Sequence, residues 1–387
     1  MPPATKTAAF QGFVAMQTQL DADWTQASFA ALARQGFMRN PIVHRCVRMI
    51  SEAAAAVPWR IHDGESTLPD HPLAAIIARP NAHQSHTTFL ETAYGHLLLS
   101  GNAYVERSEP VGGRVHLHCL GPDRVRFERD HRGWPVTLVH EVGSQSRRIA
   151  LDADDGACPL LHMALFNPLD ETDGFAPLEA ALTALDVHNA AARWNKALLD
   201  NAARPSGALV YAPGDGSNLT PEQYEQLKRE LEEGYSGAMN AGRPLLLEGG
   251  LDWKAMGLTP RDMDFIEAKN AACRDIALAF GVPPMLLGIP GDNTYSNYQE
   301  AQRAFFRLTV LPLVRRTTEA FGHWLGPLFP GSVRIGCDLD RVEGLAVERD
   351  ALFSRLEAAS FLTDAEKRVA VGYPPVPDHA ETGKDAQ

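Results

Sequence analysis

Residues 281–306 read GVPPMLLGIPGDNTYSNYQEAQRAFF. The paired prolines stop a preceding helix, MLLGI is a short apolar step, and PGDNTYSN is a small loop rich in hydroxyl and amide groups. A strongly helical run follows. Gly288, Pro290 and Gly291 give the loop a sharp path on its entry side. A small polar loop is thus held between two long helices.

Upstream of the loop, Thr259 caps a helix that Pro260 starts, Asp262 completes its capping box, and the helix runs to about Phe280. Its rise of 1.5 Å per residue makes a rod of about 31 Å. An earlier rod, PLEAALTALDVHNAAARWNKALLDNAAR from Pro177, has no internal Gly or Pro and spans about 40 Å on the same rise. Between the rods lie a strand (RPSGALVYAP), a charged helix with Thr220, Pro221 and Gln223 as its cap signals, and a pair of strands in RPLLLEGGLDWKAMG. A rod out, a small αβ module and a rod back place that module at the tip of a stalk.

The flanking sequence is mixed. Asn40-Pro41 caps a helix whose apolar face is Ile42, Val43, Cys46, Val47, Ile50, Ala53 and Ala54, and Val57-Pro58 ends it. WRIHD reads as a strand; TTFLETAYGHLLLS reads as a helix ending at Ser100-Gly101, followed by a strand from Ala103 to Arg107. GRVHLHCLGPDRVRFERD and WPVTLVHEV alternate with period two, as antiparallel strands do. Beyond the polar loop, the helix from Ser296 to Leu325 is expected to bend near Pro312, and SVRIGCDLD is a strand. Two short helices follow, roughly 342–360 and 363–371, the second with a Thr363/Glu366 capping box. Residues 1–40 read as a polar arm, and GYPPVPDHAETGKDAQ as a disordered tail. The fold class expected is α+β.

At 387 residues, with 45% hydrophobic and 22% charged residues, this is an ordinary folded chain of two or more modules. A net charge of −12 argues against a protein that coats DNA by neutralising phosphates. The five cysteines are scattered without a CxxC, as expected of reduced thiols in a protein that folds in the cytoplasm. The start lacks the basic and apolar regions of a signal peptide. AAAAVPW falls far short of the roughly 20 apolar residues of a membrane span, so a soluble protein with no membrane partner is expected.

Motifs for chemistry are sparse. His83/His86 and His116/His118 are the closest histidine pairs, and HxH on a strand suits zinc, but no third ligand stands at a motif distance and HExxH is absent. GxSxG is absent, and Cys46 and Cys273 sit at apolar helical positions, where thiols are buried and inert. PGDGSN (213–218) lacks GK[ST] and reads as a turn; ELEE (230–233) reads as a solvated helix face. Arg193, Lys196 and Arg204 near the end of the first rod, and Lys254, Arg261, Lys269 and Arg274 around the second, are either solvated flanks or sparse positive rings in an acidic conduit. No enzyme, cofactor or metal site is indicated, and a metallohydrolase built on His116 and His118 is the alternative in a different class.

Four stretches in order, NPIVHRCVRMISEAAAAVPW with HLLLSGNAYVE, then FAPLEAALTAL with ARPSGALV, and above all IALAFGVPPMLLGIPGDNTYSNYQEAQRAFFRLTVLPLV, resemble the portal proteins of long-tailed bacteriophages over roughly residues 40–372. The Ala/Arg/Pro-rich composition suits a prophage or a gene-transfer-agent particle. The resemblance implies a ring, usually of twelve copies, at one capsid vertex. It implies a channel for double-stranded DNA, a dock first for the terminase large subunit and then for a head–tail adaptor, and contact with the major capsid protein. The ring would be assembled in the bacterial cytoplasm and carried in the virion. Another capsid or connector component is the remaining alternative.

In family terms the chain divides into an arm (1–40), a wing (41–176), stem helices (177–203 and 260–281) around a clip (204–259), a tunnel loop (282–298), a long helix with a wing strand (299–340), a reduced crown (341–372) and a tail (373–387). Asp292, Asn293, Thr294, Tyr295, Ser296 and Asn297 would face the DNA. Tyr224, Lys228 and Arg229 of the clip would meet terminase or adaptor. Ala180, Ala181, Ala184, Ala190, Ala191 and Ala192 supply the small residues that packed stems need. Twelve copies at −12 each would carry −144, a wall that repels DNA rather than gripping it.

Overall fold

The computed structural model describes residues 24–64, 66–109, 115–151, 158–200, 207–211, 220–235, 251–255, 265–290, 295–342, 344 and 346–371. Among them Phe29–Ala31 and the wide turn Leu32–Phe37 are helical, with Leu32 and Gly36 buried, so this part of the expected arm packs into the body. Residues 1–23 and the tail from 372 onward lie outside the described residues.

Helix α1, Pro41–Ala55, begins where Asn40 Oδ1 accepts from the N–H groups of Ile42 (3.0 Å) and Val43 (3.2 Å), with Pro41 in the first turn, where a missing donor costs nothing. Its buried residues Val43, Cys46, Val47, Ile50 and Ala54 follow the helical spacing. Strands β1 (Trp59–Asp63) and β2 (Ser66–Thr67) and helix α2 (Pro72–Ala78) follow.

Helix α3, His86–Ser100, starts at the Ser85 cap and stops at Gly101, whose φ of +73° a side chain would resist. It buries Phe89, Leu90, Ala93, Tyr94 and Leu97–Leu99, more than one face, and so runs through the centre of the body. Gly101 lets another segment cross closely: a Cβ on Gly174 would stand 2.0 Å from the Gly101 carbonyl oxygen.

Next come β3 (Asn102–Ser108), β4 (His116–Leu120), β5 (Val125–Arg129), β6 (Pro135–Val142), β7 (Gln145–Ala150) and β8 (Leu160–Ala164). β3 lies between β4 and β8, with Tyr104 opposite Leu120 on one side and His162 on the other, while β5, β6 and β7 form a meander. Tyr104, Leu120, Leu138, Ile149 and Leu160 make a small core joining these two sheets.

A turn, Pro177–Ala180, precedes helix α4, Leu182–Asp200. The expected single rod is interrupted at Ala181 (φ −108°, ψ 18°), where the chain tightens and fully buried Leu178 sits against Gly36. Strand β9 (Gly207–Tyr211), helix α5 (Pro221–Tyr235) and strand β10 (Leu251–Ala255) come between α4 and helix α6 (Phe265–Ala279). The chain ends with α7 (Tyr295–Phe305), α8 (Leu311–Leu325), β11 (Val333–Cys337), α9 (Ala346–Ala358) and α10 (Asp364–Ala370). The bend near Pro312 takes a definite form, a widened π turn over Phe306–Val310. Proline has no N–H to donate, and its ring crowds the carbonyl four residues back, which the wider turn accommodates.

β11 pairs antiparallel with β1, Trp59 opposite Cys337 through Asp63 opposite Val333, so the late strand closes onto the first unit. The main core runs through α1, α3, α6 and α8 without interruption.

His162 stacks on Tyr104 (ring centroids 4.6 Å apart) and donates from Nε2 to Asn102 Oδ1 at 2.9 Å, because that oxygen also accepts the Gly174 N–H. Burial pushes its pKa down from 6.5 to about 4. The unfolded chain therefore binds the extra proton first, so this residue's contribution is intact above pH 6.5 and is lost as pH falls from 6.5 towards 4. Urea titrations across that window should show stability falling with pH, and the His162→Gln variant should show a flatter profile.

Candidate functional site

The approach to the polar loop is fastened on three sides. α6 ends with Val282 N–H donating to the Ala277 carbonyl (2.9 Å) and with Phe280 and Val282 buried. Gly281 turns the chain at φ +67°, and its carbonyl accepts from Thr309 Oγ1 at 2.6 Å, which ties it to the π turn. Pro284–Leu287 form one tight helical turn closed by Gly288 at φ +72°, and Ile289 is buried. Arg274 of α6 then donates to the Pro290 carbonyl at 2.7 Å.

Much of the expected loop is therefore ordered chain. Tyr295, Ser296 and Asn297 stand in the first turn of α7, and Asn297 through Glu300 are exposed. Asp292, Asn293 and Thr294 lie outside the described residues.

α4 and α6 pack side by side and run antiparallel. The first half of α4 is sunk in the core through Ala184, Leu185, His188 and Ala191, as is the second half of α6 through Ala272, Cys273, Ile276 and Ala277. Their other ends are exposed at Ala192, Arg193 and Lys196 and at Ile266, Glu267 and Ala268. Of the six alanines singled out in the first rod, Ala181, Ala184 and Ala191 are used inside the chain, while Ala180, Ala190 and Ala192 stay exposed. A groove of about 610 Å³ runs between the helices, lined by Ala180, Thr183 and Val187 on one side and Ala268, Ala271 and Leu278 on the other.

Between α4 and α6 in the chain, β9 and β10 pair antiparallel, Leu251 opposite Tyr211. α5 starts with its capping box formed: Gln223 N–H donates to Thr220 Oγ1 (3.3 Å), and Thr220 N–H to Gln223 Oε1 (2.9 Å). Tyr224 and Arg229 are exposed on this helix, and Arg229 Nε reaches the Glu225 carbonyl. The Lys228 side chain lies outside the described residues, as do 212–219, 236–250 and 256–264, which hold the PGDGSN turn, the first strand expected in RPLLLEGG, and the Thr259–Asp262 cap.

Reactive groups are muted. Burial pushes the Cys46 thiol up to about 12 and that of Cys119 up to about 12, which disfavours thiolate at neutral pH. His116 and His118 share a face of β4 with ring centroids 6.2 Å apart, but among the described residues no group of three His, Cys, Asp or Glu could hold a metal ion. Among the same residues no helix is long and apolar enough to cross a membrane.

The body is mixed α/β, with α4 and α6 packed side by side and β9, α5 and β10 between them in the chain. The family model described as "Phage portal protein" matches residues 41–372. Two solved structures, of the neck of an empty GTA particle computed with C6 symmetry and of a native one computed with C12 symmetry, contain chains 50% and 48% identical to this one. They align over 91% and 92% of this chain and 95% and 96% of theirs, with TM-scores of 0.73 and 0.70. The portal protein of Enterobacteria phage HK97 is 24% identical over 89% of this chain and 81% of its own. The chain belongs to the phage portal protein family.

Two glycines test how the loop is held. Gly281→Ala forces a left-handed alanine whose Cβ also meets Thr309 Oγ1 at 2.8 Å, whereas Gly288→Ala meets open space. Both should lose about 1–2 kcal/mol for the backbone alone. Denaturant melts should show Gly281→Ala as the more damaging of the two.

Proposed function

We propose that this chain closes into a ring of copies, twelve in number, at one vertex of a phage-like capsid, with double-stranded DNA passing through the centre. The observation that carries this reading is the near-50% identity, over nine-tenths of the chain, to proteins in GTA necks solved with sixfold and twelvefold symmetry. A gene-transfer-agent or prophage particle is accordingly its home. α4 and α6 are the stem, β9, α5 and β10 belong to the clip, the sheets with α1, α3 and α8 make the wing, and α9 and α10 form a reduced crown. Residues 282–298 are the tunnel loop. No catalytic group is needed, because a conduit works by geometry and charge.

Within that ring, Asp292, Asn293, Thr294, Tyr295, Ser296 and Asn297 face the passing duplex. Polar contacts of this kind are worth about 0.5–1.5 kcal/mol each, so they are readily broken as DNA moves. A lysine ring would instead raise affinity with every phosphate neutralised. The anchored approach from Gly281 to Pro290 supports this reading, since a loop that touches a moving duplex must not be carried along with it. Tyr224, Lys228 and Arg229 meet the terminase large subunit during packaging and a head–tail adaptor afterwards, while the wing meets the major capsid protein. The exposed Ala180, Ala190 and Ala192 let a neighbouring stem approach closely.

Electron micrographs of the purified protein should show closed rings with a central hole; a chain that stays monomeric at every concentration refutes the reading. Deleting residues 292–297 should leave the ring intact and reduce packaged DNA, and equal packaging would remove the loop from the channel. Tyr224→Ala with Arg229→Glu should weaken terminase binding at least about tenfold while sparing the ring. Unchanged binding would place docking elsewhere.

A further inference from the structure

The first half of α4 is strapped to the body by polar groups of residues 25–40. Thr25 donates to Asp186 from its N–H (3.0 Å) and its hydroxyl (2.5 Å), Asn189 Nδ2 donates to the Gln35 carbonyl (3.0 Å), and Asn40 reaches both His188 and Asn189. In the contact between Asn40 and His188 the neighbours fix where every proton lies. Asn40 Oδ1 accepts from the N–H groups of Ile42 and Val43, which can only donate. The amide nitrogen is therefore the atom turned to α4, and it donates to Asn189 Oδ1 and to His188 Nδ1, both at 3.0 Å. His188 Nδ1 has to accept, so the imidazole keeps its hydrogen on Nε2.

Both side chains are buried, Asn40 at 1% and His188 at 3% exposure. A proton added to Nδ1 would turn that nitrogen into a donor and set it against the amide N–H, and the amide could turn over only by giving up its cap on α1. Across the joint stands Lys269 of α6, half-buried. Burial first, and then Lys269, hold the imidazole below its ordinary pKa of 6.5, while Asn189 favours the charged form. On the helices packed together here, Cys46 of α1 and Cys273 of α6 are thiols that burial pushes up, Cys46 to about 12, so they remain uncharged in acid. His44 of α1 is exposed and turned to the Phe37 carbonyl, and Asp186 spends both oxygens on Thr25.

We infer that His188 is a proton-operated latch: when Nδ1 takes a proton, the bond from Asn40 breaks and the first half of α4 comes away from the start of α1. Every group involved belongs to one chain, so the latch does not rest on the ring reading. Its direction follows from the lowered pKa of the folded chain. The neutral imidazole holds α4 in place above pH 6.5, and the hold is lost as pH falls from 6.5 through the folded value.

Hydrogen exchange of the full chain, followed from about pH 7.5 to about pH 4.5 on peptides of α3 and of the first half of α4 and corrected for intrinsic rates, tests the latch. In the parent, the protection of α4 should fall by up to about tenfold for each pH unit below 6.5, and that of α3 should fall less. In His188→Gln, whose side-chain oxygen accepts from Asn40 and takes up no proton, α4 should lose that slope. Asn40→Asp keeps an oxygen for the cap and offers a carboxylate to the imidazolium, which raises the folded pKa of His188 and reverses the sign: α4 should then be held best below pH 6.5. This second variant decides the matter where His188→Gln does not fold. A parental slope in either variant, or α3 and α4 opening in step in the parent, overturns the latch.

Discussion

The side chain of Asn40 ties the start of α1 to the first half of α4. It is 1% exposed, and its oxygen caps α1 while its amide nitrogen reaches His188 Nδ1 and Asn189 Oδ1 on α4, both at 3.0 Å. One residue therefore sets where α1 starts and where α4 leaves the body. Burial, with Lys269 nearby, holds His188 below its ordinary pKa, so the ring stays neutral beside the amide. Asn189 adds a bond to the Gln35 carbonyl, and Thr25 donates to Asp186 from its N–H and its hydroxyl. A buried amide in such a place is costly unless all its partners are present, and that fixes a single orientation for the outgoing helix.

What could be read in the chain beforehand was local. The caps at Asn40, Thr220 and Thr363 follow from a side-chain oxygen meeting a free N–H two or three residues on, and nothing distant can change that chemistry. The stop at Gly101 is equally local. β7, missing from the sequence reading, exposes five of the six residues in QSRRIA and buries Ile149 alone, so it carries no alternation to detect. β8 is apolar on both faces and reads equally well as buried helix. At the break, Ala181 is neither Gly nor Pro, and the neighbouring Leu178 packs over Gly36, a contact that no window of sequence contains.

The candidate site divides in the same way. Gly288 was marked as a turn and takes φ +72°, because backbone conformation belongs to the residue itself; Gly291 lies outside the described residues. That Thr309 and Arg274 would hold the carbonyls of Gly281 and Pro290 depended on a tertiary approach between α6 and the π turn. The exposure of Phe166 and Leu169 was invisible for a different reason: FNPLDETDG has the composition of any turn, and only the hydrogen bonds of Asn167 and Asp170 show how the loop is held. Asp170 is held well below the usual carboxylate range by the N–H groups of Asp173 and Thr172, so its charge outlasts mild acid.

The widened turn over Phe306–Val310 has a directional consequence. Compared with continuous α-helix, five residues of π geometry under-rotate the chain by roughly a quarter turn. α7, and with it the azimuth at which Tyr298 and the preceding polar residues emerge, is thus offset from α8 by that amount. The heading of α7 is thus encoded in the turn that follows it, and gaining or losing a single residue there would re-aim that helix without touching its own residues.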